Sequence, residues 1–153
     1  MISAKQSTQR IRGMRPQSHA NIVAGVLLVF TLIVPVASAN SDEIVQTVGR
    51  VSYVSGGVGT DSVDRLNSLA RDFNLKLVFA LKSGEYVSGV KVTIADAAGK
   101  QLLDTTSEGP WFLAKLPAGS YQISATFEGN AVNRKITVEA AKLRTIDLRW
   151  AAE

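Results

Sequence analysis

The sequence predicts a mainly β fold: an antiparallel two-sheet β-sandwich of about seven strands with one short helix ahead of it. Two observations carry that prediction. From Leu75 onward apolar and polar residues alternate in short runs, and turns bearing glycine or proline separate the runs about every 8 to 12 residues. Helical spacing, by contrast, recurs in a single stretch before Leu75.

The first 39 residues read as a segment apart. The chain has 153 residues, 46% apolar and 20% charged, the composition of one globular domain. Its formal charge of +4 is concentrated at the start, where Lys5, Arg10, Arg12 and Arg15 are four of the 17 basic residues. No acid precedes Asp42, so residues 40–153 carry 13 groups of each sign. A neutral domain argues against nucleic acid as a partner. The apolar run 22–36 is short for a bilayer, which takes about 20 residues, and it is followed by Ala37-Ser38-Ala39. These features predict a signal peptide over 1–39, cut between Ala39 and Asn40, and a periplasmic or secreted product. If the segment stays uncut, residues 22–36 tether the domain to the inner membrane.

The residue inventory narrows the chemistry. The one histidine, His19, and both methionines, Met1 and Met14, fall in the segment expected to be removed, and there is no cysteine. Residues 40–153 therefore lack the ligands of the usual zinc sites, an imidazole base for a serine or cysteine nucleophile, and any disulfide. No catalytic residue, cofactor or metal is assigned.

Residues 40–74 read as a leader: a loose polar stretch over 40–49, a short strand at 50–55, and the glycine-rich run Gly56-Gly57-Val58-Gly59. Val63, Leu66, Ala70 and Phe73, with Leu69 beside them, then put one apolar face on a helix of about three turns. Thr60 or Asp61 is the expected N-cap, Asp64 suits the positive end of the helix, and Asn74 stops it. Residues 75–150 form the sandwich domain. Leu75, Leu77, Phe79 and Leu81 share one face of the first strand, and Val90, Val92 and Ile94 one face of the next. Gly99 closes the following hairpin, and further strands are expected at 101–107 and 111–116. Tyr121, Ile123, Ala125 and Phe127 form an inward row. Val132, Arg134, Ile136 and Val138 share the next phase, where Arg134 marks an edge strand, and Ile146, Leu148 and Trp150 share the last.

Three blocks then carry a resemblance. The hairpin from Gly89 to Lys100, the turn Gly109-Pro110-Trp111 and the turn Leu116-Pro117-Ala118-Gly119-Ser120-Tyr121 resemble the carboxypeptidase regulatory-like domain, of transthyretin-like fold. With residues 50–81 included, the chain resembles a group of small exported proteobacterial proteins that carry this domain alone. The resemblance implies an antiparallel seven-strand Greek-key β-sandwich in which the Tyr121 hydroxyl pins the turn before it and Trp111 and Leu113 face inward. It implies no peptidase activity, which in the carboxypeptidases belongs to a separate zinc domain. Nor does it imply the hydrolase activity of the hydroxyisourate relatives, whose histidines and C-terminal motif are missing here.

The candidate binding surface consists of Gly56, Gly57 and Gly59 with the aromatics Tyr86, Trp111 and Trp150. Glycines ahead of a helix can present N–H groups to an anion, but Asp61 and Asp64 oppose one, and a helix-capping turn is the plainer reading. The aromatics suit a sugar ring or a protein surface. The acidic pairs Asp42/Glu43 and Asp61/Asp64 read as solvated, hence poor general acids. The expected function is a non-enzymatic protein-interaction or structural module of the bacterial envelope, its partner an unknown envelope protein. Glycan binding is the alternative, and a carboxylate-based hydrolase the third reading.

Overall fold

The computed structural model describes residues 43–151, all within the compact unit Ala39–Glu153. The expected signal peptide, its cut between Ala39 and Asn40, the run 22–36, His19 and Asp42 lie outside the described residues. Nine strands and one helix follow in the order β1 (Gln46–Val48), β2 (Val51–Gly56), α1 (Thr60–Leu69), β3 (Leu75–Leu81), β4 (Lys91–Asp96), β5 (Gln101–Thr106), β6 (Trp111–Lys115), β7 (Gly119–Phe127), β8 (Asn130–Val138) and β9 (Arg144–Trp150). They form a five-stranded sheet, β1-β2-β6-β3-β9, and a four-stranded sheet, β5-β4-β7-β8.

The sheets hold nine strands where a seven-strand sandwich is expected: seven follow Leu75, β2 is the short strand expected at 50–55, and β1 is additional. The stretch 40–49 is thus not wholly loose. Gln46–Val48 pairs with β2 across a two-residue turn at Gly49-Arg50, and β2 in turn pairs with β6. The five-stranded sheet is also not purely antiparallel, because β9 runs parallel to β3, from Leu75 beside Arg144 to Leu81 beside Trp150. Arg134 lies on β8, which is an edge of the four-stranded sheet, as the interrupted row predicts. The β7–β8 turn has two central residues of positive φ, Glu128 at 47° and Gly129 at 79°, the geometry whose twist matches a right-handed hairpin.

The inner faces of the two sheets meet in one core. Leu75, Leu77 and Phe79 face Val90, Val92, Ile94, Ile123 and Ala125, with Leu148 and Trp150 closing one side. Full burial of each large side chain contributes roughly 1.5–3 kcal/mol. A second, smaller cluster lies on the outer face of the five-stranded sheet, where Leu66 of α1 and Phe73 pack on Val54 and Leu113. This explains why β2 and β6 carry apolar residues in both phases: each is covered on both faces. It also corrects the inward placement of Trp111 and Leu113, whose neighbours Phe112 and Ala114 fill the inter-sheet core instead.

The helix begins at Thr60 with Gly59 as its cap, one residue before the expected side-chain cap, and the cap makes no side-chain hydrogen bond. It ends in a single 3₁₀ turn over Ala70–Asp72. Asn74 then does more than stop it. Fully buried, its Nδ2 donates to Leu116 O at 2.7 Å and Glu139 O at 3.0 Å, while its Oδ1 accepts from Leu116 N–H at 2.9 Å. One side chain joins three loops at one end of the sandwich, here termed the Asn74 end. Gly56 marks the other.

Candidate functional site

The glycine-rich run lies at the Gly56 end, where close approach of other groups requires Gly56 itself and its neighbour Gly109 to lack side chains. A Cβ on Gly109 would enter the backbone of Gly56, so the β5–β6 turn crosses the end of β2 only as glycine. A Cβ on Gly56 would stand 2.6 Å from Glu43 Cγ and 3.0 Å from Ser62 Oγ. The space beside Gly56 is taken by Glu43.

Glu43 is only 5% exposed, so the pair Asp42/Glu43 is not wholly solvated as expected. Ser62 Oγ donates to Glu43 Oε1 and accepts the Gly57 N–H at 2.6 Å. Arg65 Nε lies 3.6 Å from Glu43 Oε2, and its Nη2 donates to the Glu43 carbonyl at 3.5 Å. The chain thus supplies its own carboxylate beside the first turn of α1, where an external anion would otherwise be favoured. With Ser62 held between a carboxylate and a backbone donor, this group is an anchor that ties residue 43 to the helix. Asp61 and Asp64 are exposed on α1. Among the described residues no three acidic side chains come together as a metal-binding group.

The remaining candidates separate. Gly57, at φ 92°, packs against Trp111, where a Cβ would stand 3.1 Å from Trp111 Cγ. Gly59, at φ 83°, has open space around it. Trp111 is half-buried on the helix side of the sheet, and Lys76 Nζ stands 3.2 Å from the centre of its ring. Burial lowers the Lys76 pKa below the ordinary lysine value, a shift that Asp147 on the next strand opposes. With an ammonium over Trp111, that side of its ring is not open to a sugar. Tyr86 is 65% exposed and joined to the five-stranded sheet by a bridge with Ala80. Trp150 does not belong to the surface: it is 4% exposed, packs on Phe79 and Phe127, and donates from Nε1 to Asn130 O at 2.8 Å. A terminal-strand tryptophan in phase with Ile146 and Leu148 is a core residue, and that phase was the available signal.

The surface that sequence reading left unnamed is β1. Ile44 is 70% exposed and Val48 47%, with Val45 also exposed, in a stretch whose residues 44–49 carry no charge. Among the described residues β1 pairs on one side only. The other three edge strands all carry charge: Asp104 on β5, Arg134 and Lys135 on β8, Arg144, Asp147 and Arg149 on β9. Charged residues on an edge discourage strand addition, and β1 alone lacks them. Its register fixes which backbone groups are offered. A two-residue turn closes on a hydrogen-bonded pair, here Val48 with Val51, so Gln46 and Val48 bond β2 while Thr47 directs its N–H and C=O outward.

The chain matches no protein-family model, and it matches no curated protein in sequence.

Proposed function

We propose that the chain is a non-enzymatic, exported interaction module that takes up a strand of an envelope protein along the free edge of β1. The observation that carries this reading is the uncharged, partly apolar edge at residues 44–48, beside three edges that carry charge. Strand addition draws its affinity from main-chain hydrogen bonds and its selectivity from alternate side-chain contacts, and Thr47 offers the outward main-chain groups of β1. Export rests on the basic start, the apolar run 22–36 and the Ala37-Ser38-Ala39 sequence. The transthyretin-like, carboxypeptidase-regulatory-like reading rests on the turn blocks, and the hydrogen bond from Tyr121 Oη to Pro117 O at 2.6 Å supports it.

The test is Thr47→Pro combined with a photo-crosslinking residue at Ile44 in intact cells. Proline at Thr47 removes an outward donor and leaves the β1–β2 ladder whole, so stability should change by less than about 1 kcal/mol. A discrete protein adduct that disappears with Thr47→Pro is the expected result. No adduct, or an adduct indifferent to the proline, would reject strand addition.

A further inference from the structure

The domain is neutral in sum but polarised in space. Arg50, Arg71, Lys100, Lys115, Lys142 and Arg144 stand in or beside the turns of the Asn74 end, against three acids, Asp72, Asp96 and Glu139. In or beside the turns of the opposite end stand Glu85, Glu108 and Glu128, with Lys82 and Lys91 as the bases there.

At the basic end lies an open groove of about 610 Å³, walled by the β4–β5 turn at Asp96–Gly99 and by Arg144, with Ser120, Gln122, Lys135 and Thr137 among the residues between. Gln122 stands opposite Lys135 and Ser120 opposite Thr137 across β7 and β8, so these four side chains share the outward face of the sheet. Among the described residues, Lys135 and Arg144 have no carboxylate within ion-pair distance, the pairs there being Arg65–Glu43 and Lys91–Asp104. Arg144 is held in place by donating from Nη1 to Thr137 O at 2.9 Å. Asp96 is the acid of the wall, and its Oδ1 already accepts the N–H groups of Ala98 and Lys100 at 3.0 and 2.9 Å.

We propose that this groove binds an acidic saccharide, a short chain of sugars bearing carboxylates. Lys135 and Arg144 meet the carboxylates, and the Ser120 and Thr137 hydroxyls and the Gln122 amide meet ring hydroxyls. The volume lies within the range of about 300–1,000 Å³ usual for small-ligand sites. A nucleic acid would want an exposed aromatic platform, and the one aromatic in the groove, Tyr121, is buried. An added peptide strand would have to run along the free edge of β8, where Arg134, Lys135 and the Arg144 bond to Thr137 O oppose it, whereas the groove lies on the sheet face. The site is separate from β1, so neither proposal depends on the other.

Titration of the full chain, as isolated from cells, with trigalacturonate tests this, using maltotriose, triglutamate and inorganic phosphate for comparison. Trigalacturonate should bind tightest, and more weakly as ionic strength rises, as exposed charges require. Lys135→Gln and Arg144→Gln should each weaken binding about tenfold, the scale of one charged hydrogen bond. Lys91→Gln, on the same sheet but paired with Asp104, should leave it unchanged. Lys135 is exposed with no hydrogen bond or ion pair, so its variant folds even if the Arg144 variant does not. Equal binding of maltotriose, equal or tighter binding of triglutamate or phosphate, no binding at millimolar trigalacturonate, or an unaffected Lys135→Gln would each overturn the proposal.

Discussion

At the scale of the residue, the polar side chains that matter most are the ones the sequence disguises. Asn74 looks like a helix stop, yet its amide bridges Leu116 and Glu139 across a buried junction. Glu43 looks like part of a solvated leader, yet it fills the space beside Gly56. Nothing in their local spacing separates a buried asparagine from a turn asparagine, because the partners lie 42 and 65 residues away. Tyr121 was legible, since its turn has a recognisable pattern, and its environment predicts a pH response. Burial raises its phenol above the ordinary pKa, with Asp96 adding to the shift and Arg50 opposing it. A native pKa above the unfolded value of 10.0 means that the native state holds the proton longer. The stabilisation is complete below pH 10 and is lost as pH rises through the native value. Tyr121→Phe should cost about 1 kcal/mol at pH 8, from the lost bond to Pro117 O, and should flatten the fall above about pH 10. Urea midpoints across that range measure both, and an alkaline limb as steep in the variant as in the wild type would refute the assignment. Lys76, whose lowered pKa acts with the opposite sign, is common to both proteins and cancels.

At the scale of the element, legibility follows length and periodicity. The β3 alternation and the α1 face at Val63, Leu66, Ala70 and Phe73 were readable because each repeats its period several times. The three residues of β1 show no full repeat, and the start of α1 is set by the backbone of Gly59, which has no side chain to signal it. Among residues of α1, Leu66 alone is fully buried. It anchors the helix to the sheet, so Leu66→Ala should cost about 2–4 kcal/mol and loosen the cluster that holds Trp111. Denaturation should show the loss, and tryptophan emission should shift to the red. A cost below about 1 kcal/mol would mean that the helix is held elsewhere.

At the scale of the molecule, the two-sheet architecture was visible in the alternation, but the pairing of β9 with β3 was not. An edge position and a parallel neighbour leave no mark on a strand of seven residues whose inward row reads the same in either direction. The charge polarity was hidden for a similar reason, since basic and acidic residues interleave along the chain and separate only when the strands fold back. The position of β9 makes the domain indivisible. Removing residues 144–153 would delete Leu148 and Trp150 from the core and strip β3 of a neighbour. Each buried side chain lost costs about 3–5 kcal/mol, comparable with the whole stability of a domain of this size. The truncated protein should show no cooperative urea transition, and a retained transition would contradict this.

The same placement orders events in time. The chain is made from its N-terminus, and β3 waits for a neighbour that is synthesised some 70 residues later. The five-stranded sheet stays incomplete until Trp150 has left the ribosome, so the strands made before it wait with one flank of β3 open.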